Sequence, residues 1–322
     1  GAPPAWLCYC RARQGRFAAA AEAGRRAVEL DPGGFYGAYF LGAAAWMEGS
    51  EAFRPGTWRD AVRALSRAAS NLPRAPSTFL VLADVRLRCG HYDLAVEAAR
   101  RGVELEDSGR VEGPRILGSH AALGIALLRA GREEEAVRAL ATSAERLAGL
   151  DHVYVPVYLA TTRLGEAEIA LRQGRAAAAY SCAREVVGGW RDGVRRMGLG
   201  WLAVRGHLAL AVAAHNLLLP RERDAALDEA FRVLRGAAGI GFGTIFQGGP
   251  AVGWMDAGRA LARIGRDDEA FDAVLRSVEA GWSDAVALET DPAFEGLRAR
   301  PEVGRILSVV AERAGPHGES ES

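Results

Sequence analysis

The chain has 322 residues, 49% of them apolar, enough for about two domains by the usual ~150-residue prior, and its 40 basic and 40 acidic residues cancel. Without an excess positive field there is nothing to drive non-specific attraction to nucleic acid or to an anionic membrane, so neither is expected as a partner. All of the basic residues are Arg; with no Lys, the chemistries of a phosphate-loop lysine, a Schiff-base lysine and a kinase-strand lysine are excluded.

The chain opens GAPPAW, which lacks the basic, apolar and small-residue order of a signal peptide, and no apolar run reaches the ~18 residues of a membrane span. A cytoplasmic location is the expectation. The absence of an initiator Met and the start close to a periodic segment point to a piece of a longer polypeptide. The first periodic phrase, RQGRFAAAAEAGRRAVELDP from Arg13 to Pro32, reads as a turn followed by a helix. Gly15 supplies the left-handed conformation that ends one helix, and Ala20 and Ala27 let the next helix approach closely. Equivalent marks stand at Gly49, Gly90, Gly131, Gly174 and Gly265, with successive spacings over the first five of 34, 41, 41 and 43 residues. The longer spacings contain inserts, SEAFRPGT, DSGRVEG and DHVYVPV. A sixth, degenerate unit has Arg221 in the glycine slot.

Further along, GAAGIGFGTIFQGGP (Gly236 to Pro250) follows a helix rather than a strand, so its glycine spacing reads as a flexible inter-repeat connection, with a partner-contacting loop anchored by Phe242 and Phe246 as the alternative, rather than as a nucleotide loop. Near the end, Asp291-Pro292 starts a turn and Pro301 suits a first helical position. Val303, Ile306, Leu307 and Val310 then form an apolar stripe, the signature of a capping helix. PHGESES is expected to be a disordered tail.

A 34-residue helix pair with these marks resembles the tetratricopeptide repeat. The matching residues are Gly15, Phe17, Ala20, Ala27 and Pro32; Leu41 and Gly42; Gly90, Tyr92 and Ala95; Leu123, Gly124, Gly131 and Ala136; Gly174 and Ala179; and Trp254, Gly258, Gly265 and Ala270. Pro4 departs from the pattern, and the fifth and sixth units match poorly. The resemblance implies an all-α, right-handed superhelical solenoid of about seven helix pairs in which each unit contacts its neighbours. The expected units lie near 4–32, 35–73, 76–107, 114–148, 153–189, 195–237 and 250–280, making an array over 1–280. A C-terminal cap over 281–314 and a tail over 315–322 complete the layout. The ending from Asp291 to Leu307 is similar to the tails of bacterial signalling proteins whose repeats follow a cyclase, kinase or DNA-binding domain.

No nucleophile, acid–base or metal-binding constellation emerges, so neither enzyme activity nor a metal or cofactor is expected. Cys8, Cys10, Cys89 and Cys182 read as packing residues, His207 and His215 are too far apart for metal pairing on a helix, and Glu133, Glu134 and Glu135 suit a helix start. The family resemblance places the binding groove on the first helix of each unit. There it implies an aromatic patch of Tyr9, Tyr36, Tyr39, Trp46 and Met47. A row of arginines, Arg13, Arg88, Arg129, Arg172 and Arg263, stands two residues before the turn glycines. This row either offsets helix macrodipoles or forms a basic ledge for carboxylates. Leu80 and Asp84 occupy slots where a chaperone-clamping repeat would carry basic residues, which argues against that activity. The expected role is an interaction scaffold for a protein or peptide with acidic and apolar residues, with homodimerisation as the alternative.

Overall fold

A computed structural model provides the structure, which describes residues 2–52, 54–114, 117–192, 200–236 and 248–314. The described residues contain helices and turns and no strand. Seven helix pairs follow one another: α1 (Ala2–Arg13) with α2 (Phe17–Leu30), α3 (Phe35–Glu51) with α4 (Thr57–Asn71), α5 (Pro76–Arg88) with α6 (Tyr92–Asp107), and α7 (Ser119–Arg129) with α8 (Glu133–Leu147). They continue with α9 (Val155–Arg172) and α10 (Ala176–Asp192), α11 (Gly200–Asn216) and α12 (Pro220–Arg235), and α13 (Pro250–Arg263) and α14 (Asp267–Glu279). The cap consists of α15 (Ala285–Thr290), a 3-10 turn at Pro292–Phe294, α16 (Glu295–Arg298) and α17 (Pro301–Ala314). On α17, Val303, Ile306 and Val310 are buried and Leu307 is half-buried, so the predicted stripe is the face that covers the array. The described residues form an all-α superhelical array of helix pairs. The glycine-rich connection and the tail fall largely or wholly outside the described residues.

Most of the tight turns are closed by a residue in the left-handed region. Gly15, Gly90, Gly131, Gly174 and Gly265 have φ of 71, 75, 74, 69 and 78°, a conformation that glycine adopts without a Cβ clash. Two sequence assignments need correction. Gly49 is not the turn residue of the second pair but lies inside α3, where an added Cβ would come within 2.8 Å of the Trp58 ring. The left-handed glycine is Gly56, at φ 84°. In the sixth pair that conformation belongs to Leu218, at φ 59°, and not to Arg221. Holding a leucine there costs on the order of 1 kcal/mol.

Five residues beyond each of these turn glycines the second helix crosses the first, and the residue there is Ala20, Ala61, Ala95, Ala136, Ala179 or Ala270, each 0% exposed. In the two pairs whose first helices carry Gly42 and Gly124, a Cβ on those glycines would sit 2.6 Å from Leu65 and Leu140 respectively. Small residues on both helices thus set the crossing distance, and the leucines fill the space that remains.

The expectation that units touch only their neighbours is also corrected. Helix α13 packs on α3, Ser283 Oγ donates to the Arg88 carbonyl at 2.9 Å, and the Tyr92 hydroxyl donates to Asp284 at 2.7 Å. The array curls until its seventh pair and cap meet the second and third pairs. The inner helices are composed for this. In α3, 13 of 17 residues are buried, the all-round burial of a core helix rather than the single stripe of a surface one.

Candidate functional site on the inner face

Closure turns much of the expected groove into interior. Tyr39, Trp46 and Met47 are buried, as is Arg88. Trp46 Nε1 donates to Asp84 Oδ2 at 2.6 Å, and Arg88 Nε donates to the same oxygen at 2.9 Å, with its guanidinium over the Trp58 ring. Asp84 is therefore committed to the fold, and Leu80 beside it is buried too. These four predicted contact residues are not on an open surface, because the second and third pairs bury their inner face against each other and against the chain's own C-terminal end.

Two of the predicted aromatics remain accessible. Tyr36 is exposed and Tyr9 half-buried. With Trp6 and Phe40 they form one cluster across α1 and α3: Trp6 stacks on Tyr36 at 6.0 Å, and Phe40 lies 4.9 Å from Trp6 and 5.1 Å from Tyr9. Trp6 is 49% exposed and Tyr36 41%, a large apolar area left in water; exposed Arg13 stands one helical turn after Tyr9 on α1. Trp6 had no place in the sequence reading. Its signal was the spacing to Tyr9, three residues on, which puts both rings on one face of α1.

The arginine row ends helices as predicted, but its members differ in environment. Arg88 and Arg172 each find a carboxylate one turn back, on Asp84 and Glu168. Arg263 has Arg259 at that position and instead reaches Glu168 on α9, with Nη1 and Nη2 donating to its two oxygens at 3.1 and 2.8 Å. Arg129 has Ile125 one turn back and forms no hydrogen bond or ion pair of its own among the described residues. It projects with Arg205, Arg259 and Arg263 into a cavity of about 70 Å³ between α7, α9, α11 and α13.

Around this cavity the charges are arranged as a network that composition alone concealed. Arg205 Nε donates to Asp256 at 2.9 Å. Arg259 donates to Asp256 through Nη1 and to Asp291 through Nε, both at 2.6 Å, while its guanidinium faces the rings of Trp282 and Phe294. Asp291 also caps the following 3-10 turn through Ala293 N–H, so the Asp-Pro turn predicted from sequence doubles as an anchor of the cap on α13. Burial alone would raise the Glu168 carboxyl, but Arg263, Arg129 and Arg172 together hold it far below the usual carboxylate range. Asp256 follows the same pattern, with Arg205 and Arg259 overcoming burial. Arg129 is the exception: burial, then the like charge of Arg259, disfavour its charged form. Glu168, Arg205, Asp256 and Arg259 escaped the sequence reading because each lies in a different helix from at least one partner, and no local spacing reports such pairs.

No family model matches the sequence, and no curated protein matches it. Among solved structures the chain is similar to MamA, with 13% identity, a TM-score of 0.36 and coverage of 72% of this chain and 96% of that one. It is similar to yeast Tom70, with 10% identity, a TM-score of 0.33 and coverage of 96% and 84%. It is also similar to an IFIT1 monomeric mutant with Gppp-AAAA, at 13% identity, a TM-score of 0.46 and coverage of 89% and 65%.

Proposed function

We propose that this array is a protein-interaction scaffold, serving as a regulatory module of a larger bacterial signalling protein, and that its partner docks on the aromatic cluster of the first two pairs. The observation that carries this reading is the stack of Trp6 on Tyr36, both more than 40% exposed. Such rings offer a large contact area with few rotatable bonds, which makes them common anchors of binding energy. Arg13, exposed one helical turn after Tyr9 on α1, adds planar recognition of carboxylates, so a segment with apolar and acidic residues is the matching partner. The ending from Asp291 to Leu307 supports the signalling context through its likeness to tails of that class. No helix among the described residues is long and apolar enough to cross a membrane.

The test is capture from lysate of the source organism, comparing the parent with the double variant Trp6→Ala and Tyr36→Ala. A partner recovered by the parent and lost with the variant is the expected outcome, with an unchanged melting temperature. Equal recovery would move the working surface elsewhere. Sedimentation velocity of the same pair addresses the second reading: a parent that is dimeric and a variant that is monomeric would make the cluster a self-association face.

A further inference from the structure

The charged cavity between α7, α9, α11 and α13 has a lining that the scaffold reading does not use. Four arginines and two carboxylates line it, Glu168 and Asp256, and both carboxylates are already occupied. Glu168 accepts from Arg263 and Arg172, and Asp256 from Arg205 and Arg259. Asp291 is engaged by Arg259 and by a backbone amide. Asp284, the next carboxylate toward the closing loop, accepts from Tyr92 and from Ala287 N–H. Arg129 is left over. A guanidinium can always be expected to keep its proton, and a charge held partly out of water without a direct hydrogen-bonded partner is costly. Arg129, half-buried at the cavity wall and without a hydrogen bond or ion pair of its own among the described residues, therefore points to something that occupies the space in front of it.

The space has the matching size and shape. A cavity of about 70 Å³ holds a few water molecules or a single small oxyanion, since one water needs roughly 10–15 Å³ by the same measure. Its remaining wall includes Leu128, Leu164 and Leu208, which offer no competing acceptor. Leu171, Val212 and Arg263 also line a second, larger space of about 570 Å³, where Arg172, Asn216 and Pro292 complete the wall. The two spaces share these three residues and so lie on either side of them, and the second is the mouth that the proposal below assigns to the first.

We propose that this cavity is a binding site for a phosphate-type oxyanion, held by Arg129 with Arg205, Arg259 and Arg263 around it. The oxyanion is either free phosphate or the phosphate end of a small molecule whose remainder lies in the mouth. The planar N–H fork of arginine matches two oxygens of such a group, and the anion supplies the directly bonded partner that Arg129 lacks, beyond the longer-range pull of Glu168 and Asp256. The site and the aromatic cluster involve different residues, so either reading can fail without the other.

The experiment is calorimetric titration and thermal unfolding of the full chain at fixed ionic strength with inorganic phosphate, a small phosphomonoester such as glycerol phosphate, and chloride as the control. Saturable binding of phosphate or the ester, with a melting temperature that climbs by a few degrees well above the dissociation constant, is expected. In Arg129→Met, which keeps the apolar stem and removes the charge, that binding falls at least about tenfold. Without ligand the variant melts at the same temperature as the parent or higher, an outcome that a merely structural role for Arg129 would reverse. An ester that binds more tightly than phosphate assigns the mouth to the rest of the ligand, and equal affinities assign the site to the free ion. Absence of saturable binding by the parent up to ~10 mM, or undiminished binding by Arg129→Met, overturns the proposal.

Discussion

The inner face of the array is built in two ways. In the first three pairs it is aromatic and apolar, with Tyr39, Trp46, Met47 and Leu80 buried and the ion pair of Arg88 with Asp84 among them. Between α7 and α13 it is ionic, a chain of contacts from Arg172 through Glu168 to Arg263 and from Arg205 through Asp256 and Arg259 to Asp291. The difference lies in what each chemistry tolerates. A half-covered ring forfeits only the area it leaves in water, at about 25 cal/mol per Å², so Trp6 and Tyr36 can stay exposed at modest cost. An interior charge without a partner costs far more. A leftover arginine is thus a sharper pointer to a ligand than a leftover tryptophan, and Arg129 and Trp6 differ in that respect.

The sharpest way to break this contrast is to remove the hub of the ionic half. Glu168→Gln leaves Arg263 and Arg172 without their carboxylate and should cost about 3 kcal/mol, in the range for breaking one member of a buried pair, read as a lower urea midpoint. The pH dependence has a definite sign. The folded-state value of Glu168 is depressed below 4.5, so its contribution is complete above that pH and lost as the pH falls through the folded value. The gap between parent and Glu168→Gln should therefore begin to narrow below about pH 4.5 and go on narrowing as the pH falls toward the folded value. A gap of constant size from about pH 6 down to about pH 2 would mean that packing, and not charge, holds α9 to α13.

A smaller effect separates two carboxylates of opposite behaviour. Asp284, between α14 and α15, forms no ion pair among the described residues, and burial raises its value above 3.8 despite hydrogen bonds from Tyr92 and Ala287 and the longer-range pull of Arg259 and Arg129. A raised carboxyl contributes fully below its unfolded value and loses that contribution as the pH rises through the folded one. Asp284→Asn should accordingly leave stability unchanged or raise it at pH 7. Asp284→Ala, which removes both hydrogen bonds, should cost about 1–3 kcal/mol. Thermal melts of both variants between pH 4 and 7 decide it, and a strongly destabilised Asn variant would show that the ring closes through charge at this point as well.

The smallest effect lies on neither surface and calibrates the others. Leu218 is 86% exposed and holds a left-handed backbone, so Leu218→Gly should stabilise the chain by roughly 0.5–1 kcal/mol, the relief of the Cβ clash less the entropy that glycine loses on folding. A lower melting temperature would mean that the leucine side chain packs in solution.

The all-α array of helix pairs, the turn glycines at 15, 90, 131, 174 and 265, the alanine crossings and the capping stripe of α17 were legible from the chain alone. Each is a local pattern: a left-handed turn needs a residue without Cβ, and a close crossing needs a small one at a set distance along the helix. Gly49 and Arg221 misled because an insert or an irregular turn moves the reversal without changing the residues that mark it. Only the tertiary structure decided that the array bends back on itself, which buries Tyr39, Trp46, Met47 and Arg88 and brings Tyr92 to Asp284. Curvature accumulates from small rotations at every pair interface, and no single residue encodes it. For the same reason the partner of Arg263 lies 95 residues away on Glu168, and whether Arg129 has a partner depends on which carboxylates that curvature brings within reach.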